Sequence, residues 1–236
     1  MKICFDYGHG GDDVGAVGFG IVESHSVLEI GQLTADIMRS QGHEVIETRT
    51  SDCYVSLMDR CNISNNDNCD YFVSFHNNGY CNGNANGVET WHYPTSETGA
   101  NFARVLQNHL VAGGLFASDR GIKSEDFVVL EYTEAPAILL ELGFITNKQD
   151  NIIIDTRKHD IARIVSNGIF EFIGGSTGLP APAPAPATGL LDVDGYMGTE
   201  TISALQKYLG TYVDGVISSP SEMVKELQRR LNNGVL

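Results

Sequence analysis

Two hydrophobic periodicities alternate along the first 173 residues. Short apolar or alternating runs predict strands, and recurrences every three or four residues predict helices. The predicted strands are KICFDY, HEVIETR, DYFVSFH, GVETWHY, FVVL and AILLELGF. One helix is predicted over 23–41 and another after a Ser51-Asp52 cap, followed by one that carries Phe102 to Leu110 and one that carries Ile161 to Phe172.

This alternation of strands and helices predicts an α/β fold with a central, mostly parallel sheet flanked by helices. Ligands of such sheets bind beyond the carboxyl ends of the strands. His9 and His76 both lie at predicted strand ends, so this edge of the sheet is the first place to look for a site.

A compositional break separates this part from the rest of the chain. Residues 174–189 read GGSTGLPAPAPAPATG, and alternating Pro and Ala favours a semi-rigid extended spacer. The sequence therefore predicts a domain over 1–173, a linker over 174–189 and a small helical C-terminal module over 190–236.

Charge and cysteine content narrow the function classes. The formal net charge is −15, which disfavours a nucleic-acid partner and electrostatic docking on an anionic membrane. The five cysteines include no close CxxC pair, which indicates free thiols rather than a disulfide framework. No apolar stretch has the length of a signal peptide or a membrane span, so we expect synthesis in the cytoplasm.

Candidate chemistry lies in three segments. His9 stands among glycines in FDYGHGG, where a tight turn allows close approach of a ligand. Two histidines and one acid form a common catalytic zinc site, and Glu23 is the first acid candidate. His25 and Glu29 remain alternatives for its place. Glu141 sits in the apolar run APAILLELGF, where burial would raise a carboxyl pKa and suit a general base or acid.

Several motifs, taken in order, resemble the zinc-dependent N-acetylmuramoyl-L-alanine amidases of the amidase-3 type. The matching pieces are FDYGHGGD, Glu23, TRTSD, SFHNNG, GVET, DRGIK and PAILLELGFITN, and they span most of residues 1–172. Two departures concern loop residues: Tyr7 replaces a usual proline and Gly79 a common alanine. Neither removes a ligand.

The resemblance implies hydrolysis of the amide between muramic acid and L-alanine in peptidoglycan. It assigns His9, Glu23 and His76 as zinc ligands and Glu141 as the catalytic glutamate. Asn78, Arg120 and Lys123 are weaker candidates for substrate binding, the last two through a substrate carboxylate.

The tail carries a second resemblance. DVDGYMGTETISALQKYL is similar to the repeat of small helical peptidoglycan-binding domains, with helices expected from Thr199 or Thr201 and from a Ser221 cap. A helical hairpin that serves only self-association remains the alternative.

Together these observations predict a two-part cell-wall hydrolase with peptidoglycan as its partner. Without a visible leader, it resembles a phage or prophage endolysin that stays in the cytoplasm until the membrane opens. Two alternatives stay open: a zinc peptidase of the stem peptide and a non-catalytic cell-wall-binding protein.

Overall fold

A computed structural model describes residues 1–174, 197–211, 216–217 and 221–233. The chain divides into two compact units, Met1–Pro182 and Ala183–Leu236. The predicted 174–189 linker lies, apart from Gly174, outside the described residues.

The first unit contains a six-stranded sheet in the order β4-β1-β5-β8-β6-β7. Strands β4, β1, β5 and β8 are parallel, β6 runs antiparallel to β8, and β7 is parallel to β6. The strands are β1 Lys2–Tyr7, β4 Glu44–Glu47, β5 Tyr71–Asn78, β6 Val88–His92, β7 Asp119–Ser124 and β8 Ala137–Phe144, and a separate short hairpin joins β2 Val17–Gly18 to β3 Ile21–Val22.

Helices cover both faces of this sheet, so the predicted α/β class is confirmed. They are α1 Glu23–Ser40, α2 Leu57–Asn66, α3 Glu97–Ala112, α4 Val128–Glu131, α5 Lys148–Thr156 and α6 Lys158–Phe172. Side chains alternate across a strand with period two. Accordingly, Ile3, Phe5 and Tyr7 of β1 face the core beneath α1, α3 and α6, whereas Cys4 faces the core beneath α2 and α4.

Two local predictions are wrong. The FVVL run, predicted as a strand, contributes instead to the single turn of α4, whose Val129 and Leu130 are buried in the same apolar cluster as Cys61. Four apolar residues fit one buried helical turn as well as a strand, so periodicity could not distinguish them.

The predicted Ser51-Asp52 cap is the second error. Helix α2 begins later, after Ser56, whose Oγ accepts a hydrogen bond from the Asp59 amide at 3.2 Å. Asp52 instead accepts the Gly11 amide at 3.0 Å and contacts His25, which ties it to the loop after β1.

The second unit is helical where it is described. Helix α7 spans Thr199–Leu209 and α8 spans Glu222–Asn233, and the two pack together. The Ser221 hydroxyl caps α8 by accepting the Val224 amide at 3.3 Å, as predicted. Gln206, Leu209 and Met223 are buried.

The structure bears on the predictions about the cysteines and about membrane spans. All five cysteines, which lie within the described residues, are free thiols. Among the helices that the structure describes, none combines the length and apolar character needed to cross a membrane.

Candidate metal and catalytic site

The loop after β1 places His9 at the carboxyl edge of the sheet. His9 adopts φ 61°, a left-handed conformation that is uncommon for a residue with a side chain, and Gly10 and Gly11 follow with φ 124° and 60°. This run of positive φ values reverses the chain within a few residues. This sharp reversal explains why glycines follow His9.

Glu23 comes back to the same edge as the first residue of α1. The β2–β3 hairpin precedes it, and its side chain is only 4% exposed. Its Oε2 accepts the Ala16 amide at 2.8 Å, and its Oε1 accepts the Asn77 amide at 3.0 Å. These bonds compensate part of the cost of burying a carboxylate and fix its orientation.

Three candidate ligand atoms converge. Glu23 Oε1 lies 3.1 Å from His9 Nε2 and 2.9 Å from His76 Nδ1, and one ligand atom from each residue falls within 4.8 Å of the others. His9 Nδ1 lies 2.9 Å from Asp13 Oδ1, which leaves Nε2 free to face Glu23. A carboxylate behind a ligand histidine is a common way to orient the imidazole in metal sites.

The electrostatics of this cluster suit a cation. Burial alone would raise the pKa of Glu23, but the hydrogen bonds and charges of His76 and His9 hold that pKa well below its usual range. Burial acts to lower the pKa of His9, and contacts with Glu23 and Asp13 outweigh it and raise that pKa. Two imidazole nitrogens and one carboxylate oxygen fit zinc, with a coordination position left for another ligand.

The two alternative ligands lie outside this cluster. His25 is exposed and its Nε2 contacts Asp52 Oδ2 at 3.2 Å. The carboxylate of Glu29 is exposed and forms an ion pair with Lys158.

Glu141 lies beside the ligand cluster in one row across the sheet. It is in register with His76 of β5 on one side and with Glu89 of β6 on the other. Its Oε2 is buried and has no hydrogen-bond partner among the described residues. Burial, followed by the negative charges of Glu23 and Glu89, raises the pKa of Glu141 well above its usual value, against a lowering by Lys123. A carboxyl group in this state is suited to exchange a proton.

The three candidate substrate-binding residues share one partner, Glu89. Asn78 Nδ2 donates to Glu89 Oε1 at 3.0 Å, while Arg120 Nε and Lys123 Nζ each donate to Oε2 at 2.6 Å. Burial would raise the pKa of Glu89, but these two cations lower it below its usual value. Arg120 and Lys123 remain about one-third exposed, so they also face solvent.

Sequence patterns missed Glu89 and Asp13. These three partners of Glu89 come from β5 and β7, and the edge strand β7 has too few apolar residues to be predicted. Asp13 follows His9 by four residues, but only the Gly10–Asp13 bridge of this loop brings it back to the imidazole. The motif GVET was the one available signal for Glu89, because it places a carboxylate within a predicted strand.

Gly8 provides a sharp test of the site's packing. A β-carbon at Gly8 would lie 2.2 Å from His76 Cε1 and 2.4 Å from His76 Nε2. Gly8→Ala is therefore expected to displace the His76 imidazole and to lower zinc affinity by about tenfold or more, the lower end of the loss that changes around metal ligands cause. The measurement is competition with a chromogenic chelator.

Gly198→Ala is the matched control, because a β-carbon there meets no atom within 4 Å. Zinc affinity of Gly8→Ala equal to that of this control would contradict the placement of His76 against Gly8.

The chain is similar in sequence and in fold to known amidases. The chain is 36% identical over 176 residues to the sporulation-specific N-acetylmuramoyl-L-alanine amidase of Bacillus subtilis, covering 72% of this chain and 67% of that protein. It is 32% identical over 203 residues to the endolysin of Bacillus phage SPP1, covering 79% and 73%. The solved structure of the amidase AmiC2 of Nostoc punctiforme matches with a TM-score of 0.70 and 31% identity, covering 74% of this chain and 97% of that one. The family model of Amidase_3, N-acetylmuramoyl-L-alanine amidase, matches residues 3–171, and the chain belongs to this family.

Proposed function

We propose that this protein hydrolyses the amide bond between N-acetylmuramic acid and L-alanine in peptidoglycan, with zinc as its metal. The family and the names of its relatives support the reaction. The observation that carries the proposal is the convergence of His9 Nε2, Glu23 Oε1 and His76 Nδ1 beside Glu141, whose Oε2 is buried.

His9, Glu23 and His76 would hold the zinc ion. When bound, zinc polarises a substrate carbonyl and lowers the pKa of water, which favours attack on an amide at neutral pH. Asp13 orients His9, and the Ala16 and Asn77 amides orient Glu23, so the chain presents its ligands already aligned.

Glu141 is proposed as the acid and base of the reaction. It accepts the proton of the attacking water and returns a proton to the amine of L-alanine as the amide C–N bond breaks. A raised pKa favours the second step, because the protonated carboxyl group is then the donor that the leaving amine needs.

Asn78, Arg120 and Lys123 are proposed to bind substrate near Glu141. Glu89 holds all three by hydrogen bonds, and the exposed parts of the two cations suit a carboxylate of the stem peptide. Arg120 can donate in a fixed plane, whereas Lys123 acts as a point charge.

A lytic, endolysin-like role is the finer proposal. Its support is the match to the SPP1 endolysin, which extends over 203 residues and therefore past the catalytic family match. The protein would act on the wall from the cytoplasm of a bacterial host after the membrane is opened.

For the domain organisation we propose a catalytic domain over 1–173, a linker over 174–189 and a wall-binding module over 190–236. The α7–α8 pair is small for an independent core, which supports docking on wall material or on a second copy. The full chain is expected to sediment with purified walls, and a chain ending at residue 174 to remain largely in the supernatant.

As a control, light scattering measures the mass of both chains and shows whether either forms a dimer. Equal wall binding by both chains, with a dimer formed only by the full chain, would assign the tail to self-association instead.

Removal of metal tests the proposed function as a whole. Clearing of a wall suspension is expected to stop with a strong chelator and to return on addition of zinc. Clearing that persists in the chelator, with zinc absent from the protein by elemental analysis, would contradict the zinc assignment.

A further inference from the structure

Two buried guanidinium groups lie behind the candidate metal site. Arg49, from the TRTSD motif, and Arg60 of α2 are each only 3% exposed. Arg60 forms an ion pair with Asp6 at 2.7 Å, whereas all four hydrogen bonds that the structure gives Arg49 go to backbone carbonyl oxygens. Burying a charged group this deeply is costly, so its contacts indicate what it stabilises.

Arg49 connects the two backbone segments that carry the first two ligands. Its Nη2 donates to the Gly8 carbonyl at 2.9 Å and to the Ser24 carbonyl at 2.6 Å. Gly8 precedes His9, and Ser24 follows Glu23. One rigid, planar group thus sets the separation between the loop after β1 and the start of α1.

Arg60 forms further hydrogen bonds with the same loop. Its Nη1 donates to the Tyr7 carbonyl at 2.6 Å and its Nη2 to the His9 carbonyl at 2.8 Å. Arg49 Nε also donates to the Tyr7 carbonyl, at 2.8 Å. The carbonyls of residues 7, 8 and 9 therefore all accept guanidinium hydrogens.

The backbone of His9 needs this support. A non-glycine residue at φ 61° persists only where its surroundings hold it there. The two arginines supply donors to the carbonyl of His9 and to those of the two residues before it. The direction of the His9 imidazole consequently depends on side chains that do not touch it.

Charge alone would make these arginines unfavourable neighbours of a metal ion. A positive group behind a cation site opposes cation binding by Coulomb repulsion. Any favourable contribution that they make to metal binding must come from geometry. A substitution that conserves the charge but changes the shape of the side chain therefore tests whether the arginines act through geometry.

We propose that Arg49 and Arg60 are positioning residues of the metal centre, which hold His9 and Glu23 at the separation that a bound zinc ion requires. This inference rests on the proposed zinc site. Lysine keeps the charge but lacks the planar fork, so it cannot bridge the Gly8 and Ser24 carbonyls in the same way.

The test compares Arg49→Lys and Arg60→Lys with wild type in the full chain. Zinc affinity is measured by chelator competition, and the visible absorption of the cobalt-substituted protein reports ligand geometry. Each variant is expected to bind zinc about 10- to 100-fold more weakly, as for other outer-shell partners of metal ligands, with an altered cobalt spectrum. Zinc should also raise the thermal midpoint by less than it does in wild type.

Arg39→Lys is the matched control. Arg39 donates to the Val45 carbonyl at 3.1 Å and pairs with Glu47, but it contacts neither ligand-bearing segment. It is expected to keep wild-type zinc affinity and the wild-type cobalt spectrum.

The outcomes separate this inference from the proposed function. Wild type that binds no zinc would remove the zinc site itself. Wild-type zinc affinity and cobalt spectrum in Arg49→Lys and Arg60→Lys, with only the metal-free thermal midpoint lowered, would show a purely structural role and overturn the inference. Two variants are used so that one decides if the other does not fold.

Discussion

Glu141→Gln is expected to lower the rate of peptidoglycan hydrolysis by about 10²- to 10⁴-fold, the range that a general acid or base contributes. Gln has nearly the same shape but cannot accept a proton from water or return one to the leaving amine. Glu141 lies outside the His9, Glu23 and His76 cluster, so the zinc content should remain at the wild-type level. The measurement pairs initial rates on purified walls with elemental analysis of the same samples.

Glu131→Gln is the control for the loss of one carboxylate. Glu131 lies exposed on α4, and its replacement should leave the rate unchanged. A Glu141→Gln protein that retains more than about one-tenth of the wild-type rate would fall outside the range expected for an acid–base residue and remove Glu141 from that role.

His76→Ala is expected to abolish both zinc binding and hydrolysis. It removes one of three candidate ligands and one of the two imidazoles that contact the buried Glu23 carboxylate. The loss of affinity should exceed the roughly 10- to 100-fold that follows removal of an outer-shell partner. Zinc affinity by chelator competition and the hydrolysis rate are measured on the same preparation.

His25→Ala is its matched control, because His25 is near Glu23 in sequence but pairs with Asp52 instead. It should keep both zinc and activity. Full zinc occupancy in His76→Ala, or loss of zinc in His25→Ala, would require a different set of ligands.

Sequence patterns predict the parts of this fold in which one periodicity dominates. Strand β8 matches AILLELGF residue for residue, and α1 ends one residue before the predicted limit, since both bury long apolar patterns. The errors fall where the apolar pattern is short or absent. Four apolar residues become α4 rather than a strand, and β7 was missed because its sequence, DRGIKS, is largely polar.

The residues of the candidate site likewise include some that the sequence reveals and some that it does not. The glycine-flanked His9 and the acid within an apolar strand, Glu141, are visible as anomalies in sequence. Glu23 was the first acid candidate from its place at the start of a predicted helix, and the resemblance assigned it as a ligand over Glu29. The convergence of Glu23 with His9 and His76 supports that choice. The supporting residues could not be inferred, because they act through backbone carbonyls: Arg49 and Arg60 hold the loop from positions 40 and 51 residues beyond His9.

The most direct test of the central claim is to identify the chemical ends released from purified peptidoglycan by mass spectrometry, with and without a chelator. The account predicts free amino termini on L-alanine and intact lactyl groups on muramic acid, lost with chelator and restored by zinc. New ends within the stem peptide would instead assign a zinc peptidase. Absence of new ends, with the protein still bound to the wall, would contradict catalysis altogether.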